Sequence, residues 1–166
     1  YVQDQLFATL DPTHRAFEID HVGRVVFADT VGFISKLPHD LVEAFKSTLQ
    51  EAVEADLLLE VIDAVDPERE LKLREVSSVL EQIGADEVPR LQVFNKIDLN
   101  PELSPHVLED EKGLVKSVWI SALENQGIDL LLEGIASHFQ QNHLEMMITL
   151  PPSEGRLRAE LYALDA

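Results

Sequence analysis

Four consecutive residues, Asn95-Lys96-Ile97-Asp98, carry the most specific chemistry in the chain. They follow a mostly apolar run, Leu91 to Phe94, that reads as a buried strand. Open parallel sheets bind ligands just past the carboxyl ends of their strands, which is where this run places the motif. The Asp98 carboxylate can accept two hydrogen bonds, from the ring N–H and the exocyclic amine of a guanine. Adenine has no such donor pair on that edge and would leave the carboxylate buried and unpaired, the costly outcome. Asn95 can brace neighbouring loops and the base. Lys96 can lay its aliphatic stem over the purine ring while its charged head stays in water. The same four residues also make an ordinary polar turn, so other segments must decide between the two readings.

Two segments do. Asp29-Thr30-Val31-Gly32 closes a strand-like run, Arg24–Ala28. An Asp at a strand end can hold a metal-bound water beside a phosphate chain. A glycine three residues on lets its backbone N–H approach the terminal phosphate with no Cβ in the way. Ser121-Ala122-Leu123 closes another such run, Val115–Ile120. Small residues there allow backbone N–H groups to reach the guanine carbonyl oxygen, an acceptor adenine lacks. Each motif occurs by chance; their joint order and spacing is that of a guanine-nucleotide switch.

The elements that must position these motifs follow from periodicity. Ala16–Asp20 and Arg24–Ala28, joined through His21-Val22-Gly23, read as a hairpin. Pro38 opens a helix whose core face carries Leu41, Phe45, Leu49 and Ala52, ending near Ala55-Asp56. Leu57–Ile62, broken only by Glu60, reads as a buried parallel strand. Asp66-Pro67 reads as an N-cap and first helical position. It leads into a helix with Leu73, Val76, Leu80 and Ile83 on one face and Gly84 as C-cap. Asp63 and Asp66 are explained as a strand end and a cap rather than a metal pair. Asn100–Lys112 reads as loop with a short solvated helix. Ile128, Leu131, Leu132, Ile135 and Phe139 give the last helix. Met146–Leu150 and Leu157–Ala163 read as strands around the Pro151-Pro152 break. Strand–helix alternation from Ala16 to Phe139 predicts an α/β fold, a mostly parallel sheet flanked by helices. Residues 1–143 are expected to form the main domain and 144–166 the beginning of a small C-terminal α+β unit.

Composition narrows the function classes. The chain has 166 residues, 45% of them hydrophobic, enough to bury a core. Its formal net charge of −18 opposes long-range attraction to bare nucleic-acid backbones, so direct DNA binding is not expected. Without cysteine there is no disulfide framework and no thiolate chemistry. No apolar run reaches membrane-spanning length, and the expected location is cytoplasmic.

From end to end the chain resembles the HflX family of bacterial ribosome-associated GTPases, which are P-loop GTPases of the translation-factor type. The segment from Tyr1 to Thr13, which includes Phe7-Ala8-Thr9-Leu10-Asp11, is similar to that family's first switch region. Asp29-Thr30-Val31-Gly32-Phe33-Ile34 with Leu37-Pro38-His39-Asp40-Leu41-Val42 is similar to its second. Leu150-Pro151-Pro152 and Gly155-Arg156-Leu157-Arg158 resemble the start of its small C-terminal domain. The resemblance implies a Mg²⁺-dependent GTPase that binds GTP and GDP and acts on the large ribosomal subunit. It implies that Thr9 and Asp29 serve the Mg²⁺, Gly32 the γ-phosphate, and Asn95, Lys96, Ile97, Asp98, Ser121, Ala122 and Leu123 the base.

One departure changes the expectation for this chain. A phosphate-binding loop needs Gly-Lys followed by Ser or Thr, and none of the seven glycines is followed by Lys. In the resembled family that loop lies just upstream of the position of Tyr1, together with a strand and a helix. The chain also opens mid-pattern without Met. A partial G domain is therefore expected, with an unpaired sheet edge or gap, weak GTP binding and no catalytic residue of its own. The alternative is a non-catalytic interaction scaffold with relic nucleotide motifs. Phe33 stands where many GTPases carry a water-orienting Gln, which predicts slow intrinsic hydrolysis.

Overall fold

The computed structural model describes residues 13–29 and 46–140. Strands β1 (Thr13–Ile19) and β2 (Gly23–Asp29) form an antiparallel hairpin. Helix α1 (Lys46–Glu54) precedes β3 (Leu58–Asp63), α2 (Arg69–Ile83) and β4 (Arg90–Asn95). Strands β5 (His106–Glu109) and β6 (Val115–Trp119) lead to α3 (Ile128–Gln140). The second sheet runs β3-β4-β6-β5, with β3, β4 and β6 parallel and β5 antiparallel at its edge. The α/β architecture read from the sequence is the one observed. The expected helix from Pro38 is described only from Lys46 onward, and the segments from Met146 to Ala163 lie outside the described residues.

Alternation along the strands sets two different faces. One carries Leu91, Val93 and Val118, all buried, and packs with Val115, Ile120 and Ile135 into the core. Helix α3 covers it, and Gly134 permits the close approach: a Cβ there would already lie 3.3 Å from Val115 and Val118. The opposite face is polar at its centre. Arg90 Nη1 donates to Glu60 at 3.3 Å and to Ser77 of α2 at 3.1 Å, Gln92 to Glu60 at 3.2 Å, and Ser117 to Gln92 at 3.3 Å. This network accounts for Glu60 inside an otherwise apolar strand, since a buried carboxylate is tolerated when paired and hydrogen-bonded. Toward the carboxyl end of that face, Phe94, Trp119 and His106 stack across three strands, with ring centroids 4.5 and 4.2 Å apart.

Two local expectations are corrected. Asp66 does not cap α2. Its carboxylate accepts the Glu68 amide at 2.8 Å and pairs with Lys72, and the helix starts at Arg69 with Glu68 as N-cap. An Asx turn competes successfully with the cap here. Residues 106–109, read as loop or helix, form edge strand β5 because β6 offers them a ladder. Gly84 caps α2 as expected, at φ 77°.

Among the described residues no strand pairing joins the two sheets. Among the described residues β3 has a partner only on its β4 side, and Val61 is 69% exposed. A cavity of about 870 Å³ separates β3 from the hairpin, lined by Phe27, Ala28 and Asp29 of β2 and by all of β3.

His138 gives the fold a pH dependence. The ring is buried in α3 and its Nε2–H donates to the Val115 carbonyl at 2.7 Å. Burial pushes its pKa below the ordinary 6.5. The unfolded chain then takes up a proton that the folded chain resists. The stability so conferred is complete above about pH 6.5 and is lost progressively as pH falls below that value toward the depressed folded-state pKa. Thermal unfolding between pH 7.5 and 5.5 is expected to show the decline, and His138→Gln, which keeps the donor, is expected to flatten it.

Candidate guanine-nucleotide site

The carboxyl ends of β4 and β6 lie side by side in register, Phe94 opposite Trp119. Both chains must turn there. After β4, Lys96 adopts a left-handed conformation, φ 69°, and Ile97–Leu99 form a 3₁₀ turn. This is an uncommon conformation for a side-chain-bearing residue. It is stabilised by Ile97, 2% exposed, whose amide donates to the Ile120 carbonyl at 3.3 Å. After β6, Ser121 and Gln126 bridge through two 3.0 Å backbone hydrogen bonds, closing a tight loop. Gly127, φ 72°, ends that loop, and a Cβ on it would fall 2.8 Å from the Trp119 carbonyl oxygen.

Side chains then lock the two loops together. Ser121 is wholly buried; its hydroxyl donates to Asp98 Oδ1 and accepts the Glu124 amide at 3.1 Å. Asn95 Oδ1 accepts the amides of Lys96 at 2.7 Å and of Ala122 at 2.9 Å. The bracing role expected of Asn95 is thus observed between the loops. The Ala122 amide, a candidate donor to a guanine carbonyl, is engaged by Asn95. Lys96, Ala122 and Leu123 are exposed around the half-buried Asp98, with Leu123 at 86%. Asp98 is thus a half-buried carboxylate with one oxygen fixed by Ser121, at the junction of two loops whose Lys96, Ala122 and Leu123 are exposed.

Lys96 is not loose in solvent. Its ammonium donates to Asp63 Oδ2 at the end of β3, 2.7 Å away, while Asp63 Oδ1 accepts the Val65 amide at 3.1 Å. The Lys96 hydrogen bond is the main reason the Asp63 carboxyl lies below the usual carboxylate range. In the sequence Asp63 reads only as a strand end. The only available signal was its place at the carboxyl end of a strand adjoining β4.

The other expected residues divide in two. Asp29, exposed at the end of β2, lines the cavity that Asp63 also lines, so it sits on the same side of the sheet ends. Phe7, Ala8, Thr9, Leu10, Asp11, Thr30, Val31 and Gly32 lie outside the described residues. Of the two expected Mg²⁺ ligands, Asp29 is therefore the one described, a hard oxygen donor of the right type. Among the described residues no group of three or more acidic, His or Cys side chains converges as a metal site.

Ser121→Ala is expected to strand the Asp98 carboxylate and the Glu124 amide together. Water can reach both groups, so the expected loss in urea unfolding is about 0.5–1.5 kcal/mol, the net contribution of an intramolecular hydrogen bond.

Comparison with known proteins agrees with this geometry. Residues 1–96 match the family described as 50S ribosome-binding GTPase. The chain is 48% identical, over its whole length, to GTPase HflX of Escherichia coli, of which it spans 39%. It is 52% identical over 81% of its length to GTPase HflX of Caldanaerobacter subterraneus subsp. tengcongensis, spanning 30% of that protein. The chain thus covers well under half of these curated relatives. Among solved structures it is similar to the SsGBP–GDP complex, with TM-score 0.62 and 31% identity over 80% of this chain and 44% of that one. With the paired loops after β4 and β6 and a family match over residues 1–96, the chain belongs to the 50S ribosome-binding GTPases, and among them to the HflX family.

Proposed function

We propose that this chain is the guanine-recognising part of a GTP-hydrolysing switch that works on the large ribosomal subunit in the cytoplasm. The observation that carries the reading is the Asp98 carboxylate, held by Ser121 while Asn95 ties the Ala122 loop to β4. A scaffold has no need for an open carboxylate fixed by a buried hydroxyl. The GDP complex of a structural neighbour and the names of the HflX relatives support the nucleotide. No helix among the described residues is long and apolar enough to cross a membrane.

In this reading Asp98 takes the ring N–H and amine of the base, and Lys96 and Leu123 flank the purine. Asp29 and Thr9 hold Mg²⁺, which neutralises phosphate charge when bound. Thr30, Val31 and Gly32, together with Phe7, Ala8, Leu10 and Asp11, close on the phosphates. The cavity between β2 and β3 is where a strand leading into a phosphate-binding loop would complete the sheet. No Gly-Lys-Ser or Gly-Lys-Thr exists in these 166 residues. By themselves they lack the backbone cradle and the lysine that such sites use for the phosphates.

Titration of labelled GTP with Mg²⁺ tests this on the chain and on a longer version that includes such a loop upstream of Tyr1. The longer version is expected to bind, ATP is expected not to compete, and the 166-residue chain is expected to bind weakly and to show no hydrolysis. If neither version binds, the motifs are structural and the non-catalytic scaffold takes the place of this reading. In the longer version, Phe33→Gln is expected to change the basal or ribosome-stimulated hydrolysis rate. Unchanged rates would mean that the apolar side chain after Gly32 does not limit turnover.

A further inference from the structure

The side chain that meets Lys96 comes from neither of the two loops that meet at Asp98. Asp63 closes β3, directly opposite Asn95 in the parallel register, and the adjoining Ala64 amide donates to the Asn95 carbonyl at 2.8 Å. The Asp63 carboxylate is itself fixed, one oxygen on the Val65 amide and the other on the Lys96 ammonium at 2.7 Å. Lys96 is held at three points: its left-handed backbone, its amide on Asn95, and its ammonium on Asp63. A four-carbon side chain anchored at both ends has few rotamers left to lose when a flat ring settles against it. Among the described residues no other carboxylate hydrogen-bonds the Lys96 ammonium, although the nearby Asp66 attracts its charge. Asp66 is paired with Lys72, and the Asp98 carboxylate is bonded to Ser121.

We propose that Asp63 is a positioning residue for guanine recognition, stretching the Lys96 stem across the base site before nucleotide arrives. The proposal rests on the guanine-nucleotide reading given above. It makes the end of β3 part of the recognition unit, although Asp63 itself need not touch the base.

Calorimetric titration of GDP into the loop-containing version, with and without Asp63→Asn, tests it. Asparagine keeps an acceptor for the Val65 amide and removes the charge. The expected result is about two- to fivefold weaker GDP binding, the range open to an ion pair as exposed as this one, with that difference shrinking at high salt. A merely structural role would not produce the second readout. In a double-mutant cycle, Lys96→Met is expected to cost less in the Asp63→Asn background than in the unaltered protein. Should Asp63→Asn fail to fold, Asp63→Glu carries the test. It keeps the charge but displaces it, and it is expected to weaken binding in the same direction by less. Unaltered protein that binds GDP while the Asp63 variants bind equally well or more tightly overturns this inference alone. So does strict additivity in the cycle. Absence of GDP binding by the unaltered protein overturns both this inference and the reading beneath it.

Discussion

A single buried hydroxyl governs the arrangement of the site. Ser121 is fully enclosed, and its oxygen both donates to Asp98 and accepts from Glu124. The two loops it joins leave adjacent strands, so neither can shift without breaking a hydrogen bond of this buried hydroxyl. Asn95 repeats the connection in the other direction, from the end of β4 to the Ala122 amide. The Asp98 carboxylate is therefore oriented by the fold.

That orientation depends in turn on the parallel pairing of β3, β4 and β6. Because the three strands point the same way, Asp63, Asn95 and Ser121 are gathered at one edge of the sheet. The face under α3 is apolar and closely packed. The face under α2 is organised by Glu60, Arg90, Gln92 and Ser117. The two faces do different jobs. The apolar side supplies the free energy of burial. The polar chain of hydrogen bonds penalises any slip in register, since moving β3 by one residue would leave a buried carboxylate without its arginine.

The parts of this organisation that were legible in the sequence are those encoded locally. Asn95 to Asp98 and Ser121-Ala122 announce themselves through residue type and through the runs that precede them. Gly84 and the stripe on α3 follow from helical period. What escaped reading is encoded by contact. Strand β5 is four residues long, follows Pro105, and is extended only because β6 presents a ladder to it. Asp66 lost its capping role to a competing turn two residues long. The Lys96–Asp63 pair joins residues 33 positions apart, and its partner is fixed by strand register rather than by any motif.

The ring ladder beneath the site has a practical meaning of its own. Trp119 is the only tryptophan in the chain. It lies between Phe94, its register partner on β4, and His106, two residues before Ser121 in sequence. Every near-ultraviolet emission photon from an indole in this protein thus originates at the junction of β4 and β6, the strands that the Asn95 and Ser121 loops leave. The molecule carries an intrinsic optical reporter at that junction, with the exposed imidazole of His106 as its window to solvent.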